Sequence, residues 1–389
     1  MWKFVFSVNS TMIKKVWAKN YRSLADVQVD LDPVTILVGH NGSGKSNLVD
    51  VLRFIYDSLR LGLDSAIINR SGMSTLRRWS SKGRPYDVEV GLQVKTKTFH
   101  GYYTFTLGSE RRGEYRVKRE LCRIRDGKSQ NDTIFETHNG IWVQHPDDLS
   151  PPVPERSLVL SLIATSEPYA QLYDYLTSFG FYNIYPNALT EPQKPTNPYP
   201  LDEHGTNLAS ALREIQRTRK APFDNLTQAI QEVIPGVLGF KVDQVGGYFV
   251  TRLRHDMADK RRALFELSQE SDGTLRMLGI LVALHQDPPR ALLALEEPEL
   301  TIHPGALGLL WGEIENASDN CQILVTTHSP DLLDMCQVDQ IRVVEKVEGV
   351  TLIAPIEEKQ KQAIQERLFA PGELLRMQGL YRAEQMPLL

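Results

Sequence analysis

From residue 12 to 31 apolar and polar positions alternate around a break at Asn20-Tyr21-Arg22-Ser23, which predicts two antiparallel strands. Val34-Thr35-Ile36-Leu37-Val38 is a continuous β-branched run of the kind that a sheet buries on both faces. A glycine-rich turn follows. Leu48, Val51, Leu52, Ile55 and Leu59 then recur at helical spacing, so strand, loop and helix are expected in that order. Between residues 86 and 143 the period is two, with turn signals at His100-Gly101, Arg112-Gly113, Asp126-Gly127 and Asn139-Gly140, the pattern of a β-meander. Prolines close it at 150–154. Residues 157–234 read as mostly helical, interrupted by the proline-rich segment 186–200, and strands return at 239–254. From 272 to 345 helix and strand alternate, which predicts a mainly parallel sheet.

These patterns divide the chain into residues 1–150, 151–235 and 236–389: a lobe with the glycine-rich loop and meander, a mostly helical insertion, and a second α/β lobe. No heptad run, low-complexity tract or internal repeat is evident. The 389 residues are 41% apolar and 24% charged, enough for a sizeable core, and no apolar run is long enough for a membrane span. The opening resembles a signal peptide but its apolar stretch is too short, and Met12 offers a second start that would make residues 1–11 an extension. Cys122, Cys321 and Cys336 have neither metal-ligand spacing nor an even count, so a cytoplasmic protein is expected. A net charge of −4 announces no nucleic-acid binder. Locally, residues 111–128 set Arg111, Arg112, Arg116, Lys118, Arg119, Arg123, Arg125 and Lys128 against three acids. That is either the solvated face of a strand pair or a surface for phosphates.

Four segments carry chemistry. Gly39-His40-Asn41-Gly42-Ser43-Gly44-Lys45-Ser46 is a complete P-loop between a buried strand and a helix. Its N–H groups and the start of the helix would hold phosphates, extending to Asn47. Lys45 would reach the β- and γ-phosphates, and the Ser46 hydroxyl would ligate Mg²⁺. The apolar run 291–295 ends in Glu296-Glu297, a Walker B pattern. There Glu296 would hold Mg²⁺ through water and Glu297 would act as general base, with Glu299 a nearby substitute. A second apolar run, 322–327, ends in His328, positioned for contact with a γ-phosphate. Ser271-Asp272-Gly273-Thr274 opens a helix and offers either a phosphate-binding turn or a plain N-cap.

In this order the four segments resemble the ABC-type ATPases of the RecF and chromosome-maintenance (SMC-like) group. The resemblance implies an α/β P-loop ATPase head with a mixed sheet, an antiparallel β-lobe and a mostly helical insertion. It implies ATP and Mg²⁺ as cofactors, a homodimer or higher oligomer, and slow hydrolysis whose output is conformational. Arg22 lies in a turn similar to the one those heads carry on the phosphate or adenine side of the P-loop. Ser271 and Gly273 match the signature that, in that group, meets the γ-phosphate of ATP held by the opposite subunit. Glu299-Leu300-Thr301-Ile302-His303-Pro304 is similar to a segment of RecF-like predicted ATPases, relatives of which serve phage defence or DNA repair. Glu296 departs from the group's usual aspartate, and Gln93 and Gln144 are the candidates for its Q-loop glutamine. Ser-Asp-Gly-Thr is unlike the signature of transporter subunits.

About 60 residues follow His328, so a fused nuclease domain is not expected and an effector would be a separate protein. The expected function is control of a partner or of DNA by nucleotide-driven dimer changes. An ATP-gated DNA clamp and a scaffold that holds a separate effector are the alternatives.

Overall fold

In the computed structural model the described residues are 12–79, 86–109, 114–127, 132–145, 151–218, 220–257 and 261–384. The possible extension 1–11, the Arg112-Gly113 turn, and Arg111, Arg112 and Lys128 of the basic stretch lie outside them.

Strands β1 (Met12–Tyr21) and β2 (Leu24–Asp30) form the expected hairpin, and β3 (Val34–Val38) leads through the P-loop to α1 (Lys45–Arg60). Short helices α2 (Leu63–Ile68) and α3 (Met73–Leu76) precede the meander of β4 (Val88–Lys95), β5 (Phe99–Ser109), β6 (Tyr115–Asp126), β7 (Asp132–His138) and β8 (Ile141–Gln144). Next come α4 (Val159–Leu162), α5 (Tyr169–Leu176), β9 (Phe179–Tyr182), α6 (Pro186–Thr190), α7 (Leu208–Thr218) and α8 (Lys220–Val233). Strands β10 (Val237–Val245), β11 (Tyr248–Asp256) and β12 (Arg262–Glu266) are followed by α9 (Asp272–Leu284), β13 (Leu292–Glu296), α10 (Pro304–Ala317), β14 (Gln322–Thr327) and α11 (Pro330–Leu333). The chain then runs through β15 (Ile341–Val347), β16 (Val350–Pro355), α12 (Glu358–Gln365) and α13 (Pro371–Met377).

The described residues form two compact units. One is β-rich, with residues from 12–179, 338–363 and 380–384; the other is richer in helices, with 180–337 and 364–379. In the β-rich unit seven antiparallel strands run in the order β2-β1-β4-β5-β6-β7-β8. One face of this sheet buries α1, whose Leu48, Val51, Leu52, Phe54 and Ile55 are all inaccessible to solvent. The Phe54 ring lies between Tyr21 and Phe105, at 5.7 and 5.8 Å, and burial of such a side chain contributes about 1.5–3 kcal/mol. In the same unit β3 pairs in parallel with β15, which turns back into antiparallel β16. That hairpin turns through Glu348 and Gly349, both at positive φ (50° and 79°), so the glycine is required by its conformation.

One detail of the meander differs. His100-Gly101 is strand, not turn; the turn is one step earlier, where the Thr96 hydroxyl accepts the N–H groups of Thr98 and Phe99. Gly101 makes room for Leu172 of α5, which an added Cβ would approach to 3.1 Å. Asn139-Gly140 does turn the chain, with φ of 48° and 76°.

In the second unit β13 and β14 are parallel, in register from Leu292 with Gln322 to Glu296 with Thr326, and β9 lies beyond β13. β9 is four fully buried residues, so periodicity could not separate it from its helical surroundings. α9 is buried along nearly its whole length among α6, α7, α8 and α10. β10, β11 and β12 make a separate antiparallel sheet, in which β12 lies beyond the expected 239–254 strand region. Among the described residues no helix is long and apolar enough to cross a membrane.

Candidate functional site

In the β-rich unit β3 delivers the P-loop. Gly39 passes so close to β15 that a Cβ would lie 2.1 Å from the Val344 carbonyl oxygen. Gly44, the residue that caps α1, has φ 110°, and a Cβ there would meet the Thr351 hydroxyl at 2.1 Å. Both positions accept only glycine. The Ser43 N–H donates to the His40 carbonyl at 3.1 Å and closes the turn. Lys45 donates from Nζ to the carbonyls of Gly39 (2.6 Å) and His40 (3.2 Å), which draws its cation back over the loop. Asn41, Gly42 and Ser46 are exposed at the mouth. No side chain caps the first turn of α1 and no acid stands in it, so its N–H groups and partial positive charge face outward, as phosphate binding requires.

A hydrogen-bond relay holds this loop. The Asn47 amide donates to Ser23 Oγ (2.6 Å), the Ser23 and Thr351 hydroxyls are 2.6 Å apart, and Thr351 donates to the Ser43 carbonyl (2.7 Å). Arg22 sits in the β1–β2 turn with φ 48°, and its guanidinium meets Asp50 of α1 at 2.9 Å. Asp50 also accepts from the Tyr21 hydroxyl (2.7 Å) and from Arg70 (2.9 Å). Gln93 faces outward from β4 and Gln144 is exposed at the end of β8.

In the helical unit parallel strands bring the acidic and histidine positions together. Glu296 ends β13 half-buried, level with Thr326. Glu297 then takes a left-handed backbone, φ 44°, held by its N–H bond to the Thr326 carbonyl at 2.9 Å. A β-substituted residue resists that conformation, so surrounding bonds maintain it. The turn continues through Glu297 O to the Leu300 N–H (3.2 Å) and Glu299 O to the Ile302 N–H (3.1 Å). His328 Nδ1 lies 3.2 Å from Glu297 Oε1, and the pair fixes the direction of the carboxylate. Glu299 is buried and accepts from the Thr327 hydroxyl; burial raises its pKa above the usual carboxylate range, against the hydroxyl bond.

Helix α9 brings Ser271, Gly273 and Arg276 to the same place. Ser271 is exposed and caps the helix, accepting the Thr274 N–H at 3.2 Å. Gly273 lies against the 297–303 turn, where a Cβ would come within 2.6 Å of the Thr301 carbonyl. Arg276 is buried and donates to the Glu297 carbonyl at 3.4 Å. Burial draws its pKa down, and the charges of Glu299 and Glu297 oppose that, so the guanidinium stays cationic beside them. Sequence reasoning passed over Arg276 and Thr327. The signal for Arg276 was its place as a lone cation in an otherwise apolar helix.

Chemically, the first unit offers an anion cradle with one lysine. The second offers a half-exposed carboxylate oriented by a histidine, above a buried arginine.

A family model described as "AAA domain, putative AbiEii toxin, Type IV TA system" matches residues 34–334, a span that holds all four segments. An OLD nuclease of Thermus scotoductus is 22% identical over 375 residues, which cover 91% of this chain and 66% of the nuclease. The chain thus spans just under two thirds of that relative's length. Among the solved structures that share the fold are two Smc heads. A Smc head bound to the C-winged helix domain of ScpA has a TM-score of 0.53 at 14% identity, over 90% of this chain and 99% of that one. The Pyrococcus furiosus Smc head with an extended coiled coil, bound to the C-terminal domain of ScpA, has a TM-score of 0.50 at 15% identity, over 92% and 99%.

Proposed function

Because the chain belongs to the AAA-domain family described as putative AbiEii toxin of a Type IV TA system, and has the fold of an SMC-like ABC-type ATPase head, we propose that it binds and slowly hydrolyses ATP as a dimer. Nucleotide-driven changes in that dimer would control a separate protein. The observation that carries this reading is Glu297: a carboxylate set at the end of a buried parallel strand, in a left-handed backbone, with His328 directing its oxygen. A P-loop in the same chain supplies the place for the substrate.

Lys45 and the N–H groups of the loop bind the β- and γ-phosphates, and Gly39 and Gly44 let the loop pack against Val344 and Thr351. Glu297 accepts the proton of the attacking water, and His328 holds Glu297 and faces the γ-phosphate. Arg22 steadies α1 through Asp50, beside the phosphate end of the site. The Ser46 hydroxyl is an oxygen donor of the type Mg²⁺ prefers, and so, in the other unit, is the Glu296 carboxylate; the ion would neutralise phosphate charge. Both residues are accessible, which fits an ion that arrives with the nucleotide. Ser271 and Gly273 serve the ATP of the second protomer.

Two of the solved heads that share this fold are each bound to part of ScpA, which supports a protein partner here. The Type IV TA description and the OLD nuclease relative support a place beside toxin–antitoxin or nuclease systems, and phage defence or DNA repair is the proposed setting.

Glu297→Gln tests the reading. Single-turnover hydrolysis should fall roughly 10²–10⁴-fold while ATP affinity stays within about threefold, because the base is lost and the phosphate cradle is not. Unchanged hydrolysis in this variant would remove Glu297 from the chemistry.

A further inference from the structure

The face of the seven-stranded sheet that α1 does not cover carries a concavity of about 470 Å³ across β1, β4, β5 and β6. Cross-strand register explains what lines it. Lys95 of β4 stands opposite His100 of β5, which stands opposite Arg125 of β6. Two residues along, Tyr102 of β5 stands opposite Arg123 of β6. Residues two apart on a strand share a face, so these side chains converge on one hollow. Lys14 joins them from β1, where a bulge between Ile13 and Lys15 turns it to this side. Among the described residues no acid lines the hollow, though Glu89 lies near enough to act on Tyr102.

Charge on this face is arranged unevenly. Lys118 is paired with Asp87 and Arg119 with Glu136, and Arg125 is shared with Asp132. Lys95 and Arg123 are exposed and, among the described residues, form no ion pair, though Asp132, the partner of Arg125, also lies within reach of the Arg123 charge. Between these cations lies an aromatic floor. Tyr102 is half-buried, its ring 5.0 Å from that of Trp17. Trp17 in turn lies over Gly91, where a Cβ would come within 2.3 Å of the indole. The glycine is what lets the ring lie down.

We propose that this hollow binds single-stranded nucleic acid, with phosphates on Lys95, Arg123 and Arg125 and a base against Tyr102. Flanking cations on β4 and β6 are about 10 Å apart, and Arg123 and Arg125 about 7 Å. That is room for a strand to cross, not a closed pocket for one phosphate. A duplex would ask only for cations on a surface. Here the cations surround a recessed ring, which a base reaches only when it is unstacked and free to turn. The site is independent of the ATP reading, since none of its residues belongs to the P-loop or to the acidic turn.

The test is fluorescence polarisation of a labelled oligothymidylate, and of a duplex of the same length, at two salt concentrations without ATP. The single strand should bind more tightly than the duplex. Arg123→Glu should weaken it roughly tenfold at the lower salt and reduce the salt slope by about 0.7. Tyr102→Leu should weaken it about tenfold with the slope unchanged. Lys359→Glu, an equal charge change on exposed α12, should do neither. Arg123 is exposed, so its reversal leaves the fold in place, as a melting curve will confirm. Absence of single-strand binding at the lower salt would overturn the proposal, as would indifference to Arg123→Glu. So would duplex binding as tight as the strand's with Tyr102→Leu silent.

Discussion

Glu120 sits on β6 with no solvent access, a position at which an ionised carboxylate is held only by what it accepts. It accepts the N–H of Val159 (2.6 Å) and of Leu160 (3.0 Å), at the start of α4, and the Tyr103 hydroxyl at 2.9 Å. Burial nevertheless dominates and pushes its pKa from 4.5 up to about 7, against those three bonds. In the folded chain the proton is therefore held to higher pH than in the unfolded chain. The contribution to stability is full below about 4.5 and is lost as pH rises through about 7, a difference on the order of 3 kcal/mol. Glu120→Gln cannot titrate. Urea unfolding at pH 5 and pH 8 should therefore show wild type losing stability relative to this variant as pH rises. A wild type that gains on it would contradict the burial argument. The same scale of reasoning explains Gly44 and Gly273: each is glycine because a neighbouring oxygen occupies the place of its Cβ.

Among the elements, the β15–β16 hairpin is the least expected contributor to the P-loop. Thr351, at the start of β16, donates to the Ser43 carbonyl and receives the Ser23 hydroxyl, so one side chain ties three segments. Thr351→Val removes the hydroxyl at nearly constant volume and leaves the Ser43 carbonyl short of a donor, a loss of about 1–2 kcal/mol. If loop order feeds into binding, ATP affinity measured by calorimetry should drop about 5–30-fold, with turnover at saturating ATP within about threefold. Unchanged affinity would show that the hairpin merely packs against the loop.

None of this was legible beforehand, since Thr351 lies 308 positions from Ser43 and has no local pattern. The strand, loop and helix of the P-loop were legible because a buried β-branched run, a motif and a helical period agree in register. The acid pair and His328 were legible for the same reason, each ending an apolar run. Arg276 was not, because a helix so apolar reads simply as core, and neither were β9 and β12, too short for a period to develop. His100-Gly101 misled because glycine there answers to packing by Leu172 and not to a turn.

For the whole molecule, the residues proposed for ATP chemistry are distributed over two compact units. Lys45 and its loop belong to one; Ser271, Glu297 and His328 belong to the other. A net charge of −4 conceals a local basic hollow on the first unit, which is why bulk charge alone did not suggest a nucleic-acid surface. The central claim is that two copies of the chain share each ATP, with Lys45 from one protomer and Ser271 from its partner. Lys45→Ala and Ser271→Arg should each be inactive alone, the first for want of phosphate binding and the second because a long cation replaces the capping hydroxyl. Mixing them allows a heterodimer with one intact site and one site that carries both lesions. The measurement is ATPase activity of that mixture, with heterodimer content read by native mass spectrometry. Activity that reappears in proportion to heterodimer is the predicted result; no recovery in a mixture shown to contain heterodimers would contradict the shared site.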